Sequence, residues 1–185
     1  MNARRFHFVG GSSGMWRITS MAMVVGEPLA AAPFLTITSA AVPAVDGTRW
    51  LLSGVTSNDR YTTRGEKDRL RATQAAIGRP HADHGALIPI RKTAAWWALT
   101  QDERRAIFEE RSRHTQVGLR YLPAIARRLH HCRDLGDDQP FDFVTLFDFA
   151  GADASAFEDL VAALRETEEW QYIDREVDIR MVREP

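Results

Sequence analysis

Apolar, β-branched and aromatic residues gather in four stretches of the first sixty positions: Arg5 to Val9, Trp16 to Val25, Phe34 to Val42 and Trp50 to Thr56. Glycine or proline lies between them, so the pattern predicts four strands. Asp46-Gly47 predicts a tight hairpin, because glycine tolerates positive φ. Asn58 to Gly78 is polar and charged, and Lys67 to Ala76 within it reads as a helix. Pro80 closes that segment, and a boundary is expected there between a shortened, β-rich amino-terminal portion (1–80) and a second domain (81–185).

The second half is patterned more sharply. Ala86 to Arg91 predicts a short strand, and Thr100-Gln-Asp-Glu103 is a capping box that should start a helix running to about His114. Ala106, Ile107 and Phe108 would form its apolar side, while Gly118 and Pro123 oppose a longer helix. Ala124 to His131 and Phe141 to Phe149 alternate as strands do. Ser155-Ala-Phe-Glu158 reads as a second capping box, opening a helix with Leu160, Val161 and Leu164 on its apolar stripe. Tyr172 to Val182 predicts a last strand, with Ile173, Val177, Ile179 and Met181 on one face and Glu176, Asp178 and Arg180 on the other. The order β-α-β-β-α-β is ferredoxin-like. Its open sheet face needs a cover, and the strand-rich first portion supplies one, giving an α+β barrel.

Composition narrows the function classes. Twenty-four Lys and Arg against twenty-five Asp and Glu leave a formal charge of −1 over 185 residues. No overall basic field exists to hold nucleic acid or an anionic membrane, so any affinity for anions must be local. No apolar run approaches the roughly 20 residues that span a bilayer. The single cysteine, Cys132, forms no internal disulfide and fits a reducing compartment. Arg4-Arg5 is followed by Gly-Gly-Ser-Ser-Gly rather than by a signal-peptide core, and a cytoplasmic location is expected.

Two runs stand out: Lys92-Thr-Ala-Ala-Trp96-Trp97, entering the predicted helix, and His114-Thr-Gln, followed thirteen residues on by Arg127 in a predicted strand. With Asp142 to Phe147 and Phe157 to Leu164, they resemble the chlorite dismutase family over roughly residues 85–182, in its short, dimeric branch. The resemblance implies haem b (iron protoporphyrin IX), with His114 as the proximal iron ligand. Glu169 would accept the ligand's other N–H, with Glu168 as the adjacent alternative. Lys92 and Trp96 would border the haem near its propionates, and Trp97 would pack near the site or a subunit contact. Arg127 would be the catalytic arginine, holding hypochlorite while chlorite gives an oxygen to a high-valent iron and dioxygen forms. About three extra residues, Arg111-Ser-Arg113, depart from the family pattern ahead of His114.

Elementary chemistry agrees with these roles. A carboxylate behind a neutral imidazole raises its basicity toward iron. A guanidinium is permanently cationic and offers a planar fork of donors to a small oxyanion. Each residue alone has a plainer reading: a histidine near a helix end is usually a surface or capping group, Glu166-Thr-Glu168-Glu169 a solvated helix end, and paired tryptophans core. Only one of Arg127 and Arg128 can face a pocket, because strand side chains alternate. His81 and His84 lack further ligands for a zinc or copper site, and His130, His131 and Cys132 read as structural. The rival readings are a coproheme decarboxylase and a haem-free ferredoxin-like regulatory dimer. Arg127, and alanines rather than a tyrosine before Trp96, favour chlorite.

Overall fold

Eight strands, four from each half of the sequence, pair side by side in a computed structural model that describes residues 4–42, 47–58 and 60–184. They are β1 (Arg5–Gly11), β2 (Trp16–Val25), β3 (Phe34–Thr38), β4 (Trp50–Thr56), β5 (His84–Lys92), β6 (Ala126–His131), β7 (Phe143–Phe149) and β8 (Ile173–Arg183). The sheet closes in the order β1-β3-β2-β8-β5-β7-β6-β4, with every neighbour antiparallel. This is the mixed α+β barrel that the patterning predicts. The halves of the sequence meet where β2 pairs with β8 and where β4 pairs with β6. Two of the seams are short: β2 and β3 share the register pairs Trp16↔Leu35 and Arg17↔Phe34, followed by the Ile18 N–H donating to the Pro33 carbonyl, and β4 and β6 share Val55↔His131 and Thr56↔His130, followed by the Ser57 N–H donating to the Leu129 carbonyl.

Alternation sends one set of side chains inside and the other to an outer layer. Phe8, Leu35, Leu52, Leu87, Val144, Leu146, Val177 and Ile179 fill the interior. Ala86, Ile88, Phe147 and Phe149 point outward instead, against Phe157, Leu160, Val161 and Leu164 of the last long helix. A strand covered on both faces carries apolar residues on both, which is why β7 is buried along almost its whole length. The sheet also needs one close approach: a Cβ at Gly10 would collide with the ring of Trp50, its register partner.

The helices are α1 (Arg64–Thr73), α2 (Ala94–Ala98), α3 (Gln101–Arg105), α4 (His114–Leu119) and α5 (Ala154–Arg165). Several expected boundaries move, each for a local reason. β3 ends at Thr38, not Val42, where the Ala40 N–H donates to Thr38 Oγ1. α1 starts three residues early on a capping box between Thr63 and Glu66 that the reading missed. β6 begins at Ala126 because Arg79 takes the Pro123 and Ala124 carbonyls out of the ladder, at 2.8 and 2.9 Å. The Ser155 capping box does not form: α5 begins at Ala154, after a 3-10 turn, with Asp153 at its N-cap. Of the expected hairpin, Asp46 lies outside the described residues, and Gly47 has φ +70°.

The largest correction concerns the helix expected to run to His114. Thr100 and Glu103 do pair as a cap, the Thr100 N–H donating to the Glu103 carboxylate at 2.8 Å. After Arg105 the chain widens into a π-helix over Ala106–Arg111, then turns at Arg113, whose φ is +52°. His114 therefore opens a new helix rather than ending an old one. An insertion inside a helix is commonly absorbed as a π turn, and Arg111-Ser-Arg113 sits at this one.

Candidate functional site

A cleft lies between the outward face of β5, β6 and β7 and the layer of α4 and α5. The sheet side presents Ile88, Ile90, Arg127, Leu129, Thr145 and Phe147, and the helix side presents Phe108, His114, Leu160, Val161 and Leu164. It holds about 1100 Å³ of atom-free space with its mouth included, but a cavity volume of only about 90 Å³. Most of that space belongs to the mouth, so the cleft narrows inward to a slot. Its walls are apolar apart from a few convergent polar groups, as small-molecule sites usually are.

His114, at the first position of α4, is fixed on two sides. Phe108 stacks on its ring with centroids 4.3 Å apart and planes at 22°. Glu169 Oε2 lies 2.7 Å from its Nδ1. Since a carboxylate can only accept, Nδ1 is the donor in that bond, and Nε2 is the ring nitrogen left for the cleft that His114 lines.

Glu169 is 3% exposed. It belongs to a 3-10 turn over Glu168–Tyr172, and its own N–H donates to Ser112 Oγ at 2.9 Å. Its other carboxylate oxygen accepts from Lys92 Nζ at 2.7 Å. Burial alone would raise the Glu169 pKa, but the charges and hydrogen bonds of Lys92 and His114 outweigh it and hold the carboxyl at about 2. It is therefore an anion at any ordinary pH. Glu168 instead points outward, its carboxylate 3.3 Å from Arg111.

Lys92 also lines the cleft, at its inner end. Its ammonium is 4.4 Å from the centroid of the Trp96 ring and bonded to Glu169, buried behind the histidine. Trp96 lines the cleft at 1% exposure, and its Nε1 has no hydrogen-bond partner. Trp97 turns away from the cleft: its Nε1 donates to Asp142 at 3.1 Å, and its ring lies between Arg104 and Arg133, with Phe143 nearly parallel to it.

Arg127 enters the cleft from the sheet side, and Arg128, next in β6, projects to the other face over the Phe6 ring. Among the described residues no side chain pairs with the Arg127 guanidinium. Desolvation lowers its pKa from the ordinary arginine value, yet a guanidinium keeps its proton, so a partly buried cation is left wanting an anion. Its carbonyl accepts from Gln74 Nε2 at 2.7 Å.

The structure thus brings together His114, Glu169, Lys92, Trp96 and Arg127 and leaves Trp97 outside. Ser112 and Gln74, which hold Glu169 and Arg127 by the backbone, were missed. Their partners lie 57 and 53 residues away in sequence, and no local pattern marks such contacts. His84 pairs with Asp83, and His130 and Cys132 are buried on the barrel side.

An apolar slot with an imidazole nitrogen on one wall and a cation on the other, beside a buried indole N–H without a partner among the described residues, fits an iron porphyrin. The ring would occupy the slot, the iron the space at Nε2, and a propionate could satisfy Trp96.

Comparison with known proteins bears on the same site. The family model described as chlorite dismutase matches residues 35–184. A chlorite dismutase of Ideonella dechloratans is 35% identical over 86 residues, 46% of this chain, and the chain spans only 27% of that protein's length. The crystal structure of the dimeric chlorite dismutase from Nitrobacter winogradskyi is 55% identical, with a TM-score of 0.88 over 97% of this chain and 99% of that one. A mutant chlorite dismutase from Candidatus Nitrospira defluvii is 20% identical, and a TM-score of 0.69 over 100% of this chain and 92% of that one reflects a shared fold.

Proposed function

Because the chain belongs to the chlorite dismutase family, we propose that it binds one haem b in the slot and converts chlorite to chloride and dioxygen. The observation that carries this reading is the opposition of the His114 and Arg127 side chains across the slot, with Glu169 and Lys92 fixing the imidazole from behind.

When bound, the haem would supply a redox-active iron. His114 Nε2 would hold it, and the Glu169 carboxylate, accepting the Nδ1–H, would make the imidazole a stronger donor. Lys92 keeps Glu169 ionised in a buried setting, so the proton stays on His114. Phe108 and Glu169 together restrict rotation of the ring. Arg127 would bind chlorite by charge and paired N–H groups and would keep any hypochlorite formed from it inside the slot, so that both oxygens leave as dioxygen and the chlorine as chloride. Trp96 Nε1 would donate to a haem propionate. The apolar walls exclude water, so the charge on Arg127 acts at low dielectric.

In this reading the carboxy-terminal ferredoxin-like half, residues 81–185, carries the haem, and the shortened portion 1–80 completes the barrel. The protein works as a homodimer in the cytoplasm. The dimeric Nitrobacter protein supports the first point, as do Met15, Met23 and Val24, apolar side chains that are 64%, 55% and 37% exposed and could be covered by a second copy. A lone thiol at Cys132, buried and pushed up to about 12, is compatible with a reducing compartment.

The test is an oxygen-electrode trace on haem-loaded protein after chlorite is added. Rapid dioxygen release that is lost in His114→Ala supports the reading. Bound haem without dioxygen turns it toward coproheme decarboxylation, and the absence of a Soret band toward a haem-free dimer.

A further inference from the structure

A second hollow, of about 710 Å³, opens on the far side of Arg127, between α1, the end of β4 and β6. Five arginines line it, Arg4, Arg60, Arg71, Arg127 and Arg128, and among its described lining residues there is no carboxylate. The chain as a whole carries a formal charge of −1, so this is a strong local departure. Asn58, Arg60 and Arg127 line both this hollow and the slot.

The arginines are not all committed elsewhere. Arg60 is held by Asp134 at 2.8 and 2.9 Å. Arg4 and Arg128 form no ion pair among the described residues, and Arg128 lies over the Phe6 ring at 4.7 Å. Asp148 is near enough to Arg128 to favour its charge, but its carboxylate is bonded to Arg79 at 3.1 Å. Thr56 Oγ1, in the same wall, is buried without a partner.

We propose that this hollow is an anion anteroom, in which Arg4 and Arg128 gather small inorganic anions beside Arg127, the arginine that lines both cavities. A concave surface of one sign concentrates the opposite charge and speeds its capture, by about 10- to 1000-fold in known cases, and salt abolishes the gain. The inference rests on Arg127 being the anion-holding group proposed above. It adds where the anion waits and which residues attract it, neither of which touches the reacting atoms.

The experiment compares the native protein with Arg4→Gln/Arg128→Gln. In haem-loaded protein at pH 8, stopped-flow Soret changes give the association rates of azide, an anion, and imidazole, largely neutral. At low salt the azide rate should fall about three- to tenfold in the variant, and its steep dependence on sodium chloride should flatten. Imidazole should bind at the native rate, and Arg128→Lys should restore azide. An unchanged azide rate and salt slope, or an equal loss for imidazole, overturns the proposal. A second arm uses haem-free protein, so that failure of the haem reading does not decide the matter. Chlorine-35 NMR line broadening should be reduced at least about twofold in the double variant and unaffected by His114→Ala. Undiminished broadening also overturns it.

Discussion

His114 Nδ1 and Glu169 Oε2 lie 2.7 Å apart across 55 residues of sequence, one at the start of α4 and the other in the turn that leads into β8. The distance depends on two irregularities, the left-handed corner at Arg113 that presents the histidine and the 3-10 turn that presents the acid.

Replacing the acid with its neutral isostere tests that pair. Glu169→Gln keeps an acceptor for Nδ1–H but removes the charge and leaves Lys92 buried without a counterion. Chlorite turnover should fall by roughly 10- to 100-fold, and the ferric/ferrous midpoint potential should rise. A native potential in the variant would count against any electronic role for Glu169.

Arg127→Ala should release more hypochlorite to a trapping scavenger and bleach its own haem sooner than the native protein. Arg127→Lys keeps a charge without the fork and should fall between the two. Equal trapping in all three proteins would show that Arg127 does not retain the intermediate.

Trp96 makes a different prediction, because its buried Nε1 has no partner among the described residues. Trp96→Phe therefore removes no protein hydrogen bond, whereas a bound propionate loses one, at a cost of about 1.5–3 kcal/mol. Haem transfer to an acceptor apoprotein should be roughly tenfold faster or more from the variant. Identical transfer rates would mean that the indole faces no anionic edge.

His130 governs an acid transition. Burial, chiefly, lowers its pKa from 6.5 to about 4 in the folded protein, assisted by the charge of Arg128 and opposed by the Val144 carbonyl. The unfolded chain therefore binds the extra proton between those values. Stability should be complete above about pH 6.5 and decline as the pH falls toward 4, by roughly 3 kcal/mol from this group. Thermal melts across that range should show a flatter pH dependence in His130→Gln. Parallel curves would place the acid sensitivity elsewhere.

Much of this was legible in the residues. Alternation along Phe141 to Phe149 and Ala124 to His131 defined two strands, and it also implied that only one of Arg127 and Arg128 faces the slot, which Arg127 lines and Arg128 does not. The Thr100-Glu103 cap was read correctly because a cap is a local arrangement. The fate of Lys92 was not legible: its ammonium is fixed by a glutamate 77 residues away, a tertiary contact without local trace. The π-helix escaped for another reason. Ala106 to Arg111 has ordinary α-helical composition, and only the extra length before His114 hinted at a wider turn.

The seams of the barrel matter once the molecule is considered in motion. With two register pairs and one following hydrogen bond joining β2 to β3, and the same joining β4 to β6, little backbone bonding opposes a fluctuation that parts either junction. Amide hydrogens there should exchange with solvent well before those of the long β5/β7 and β5/β8 ladders, so the first opening of the native state is a local unzipping that leaves the His114 wall standing.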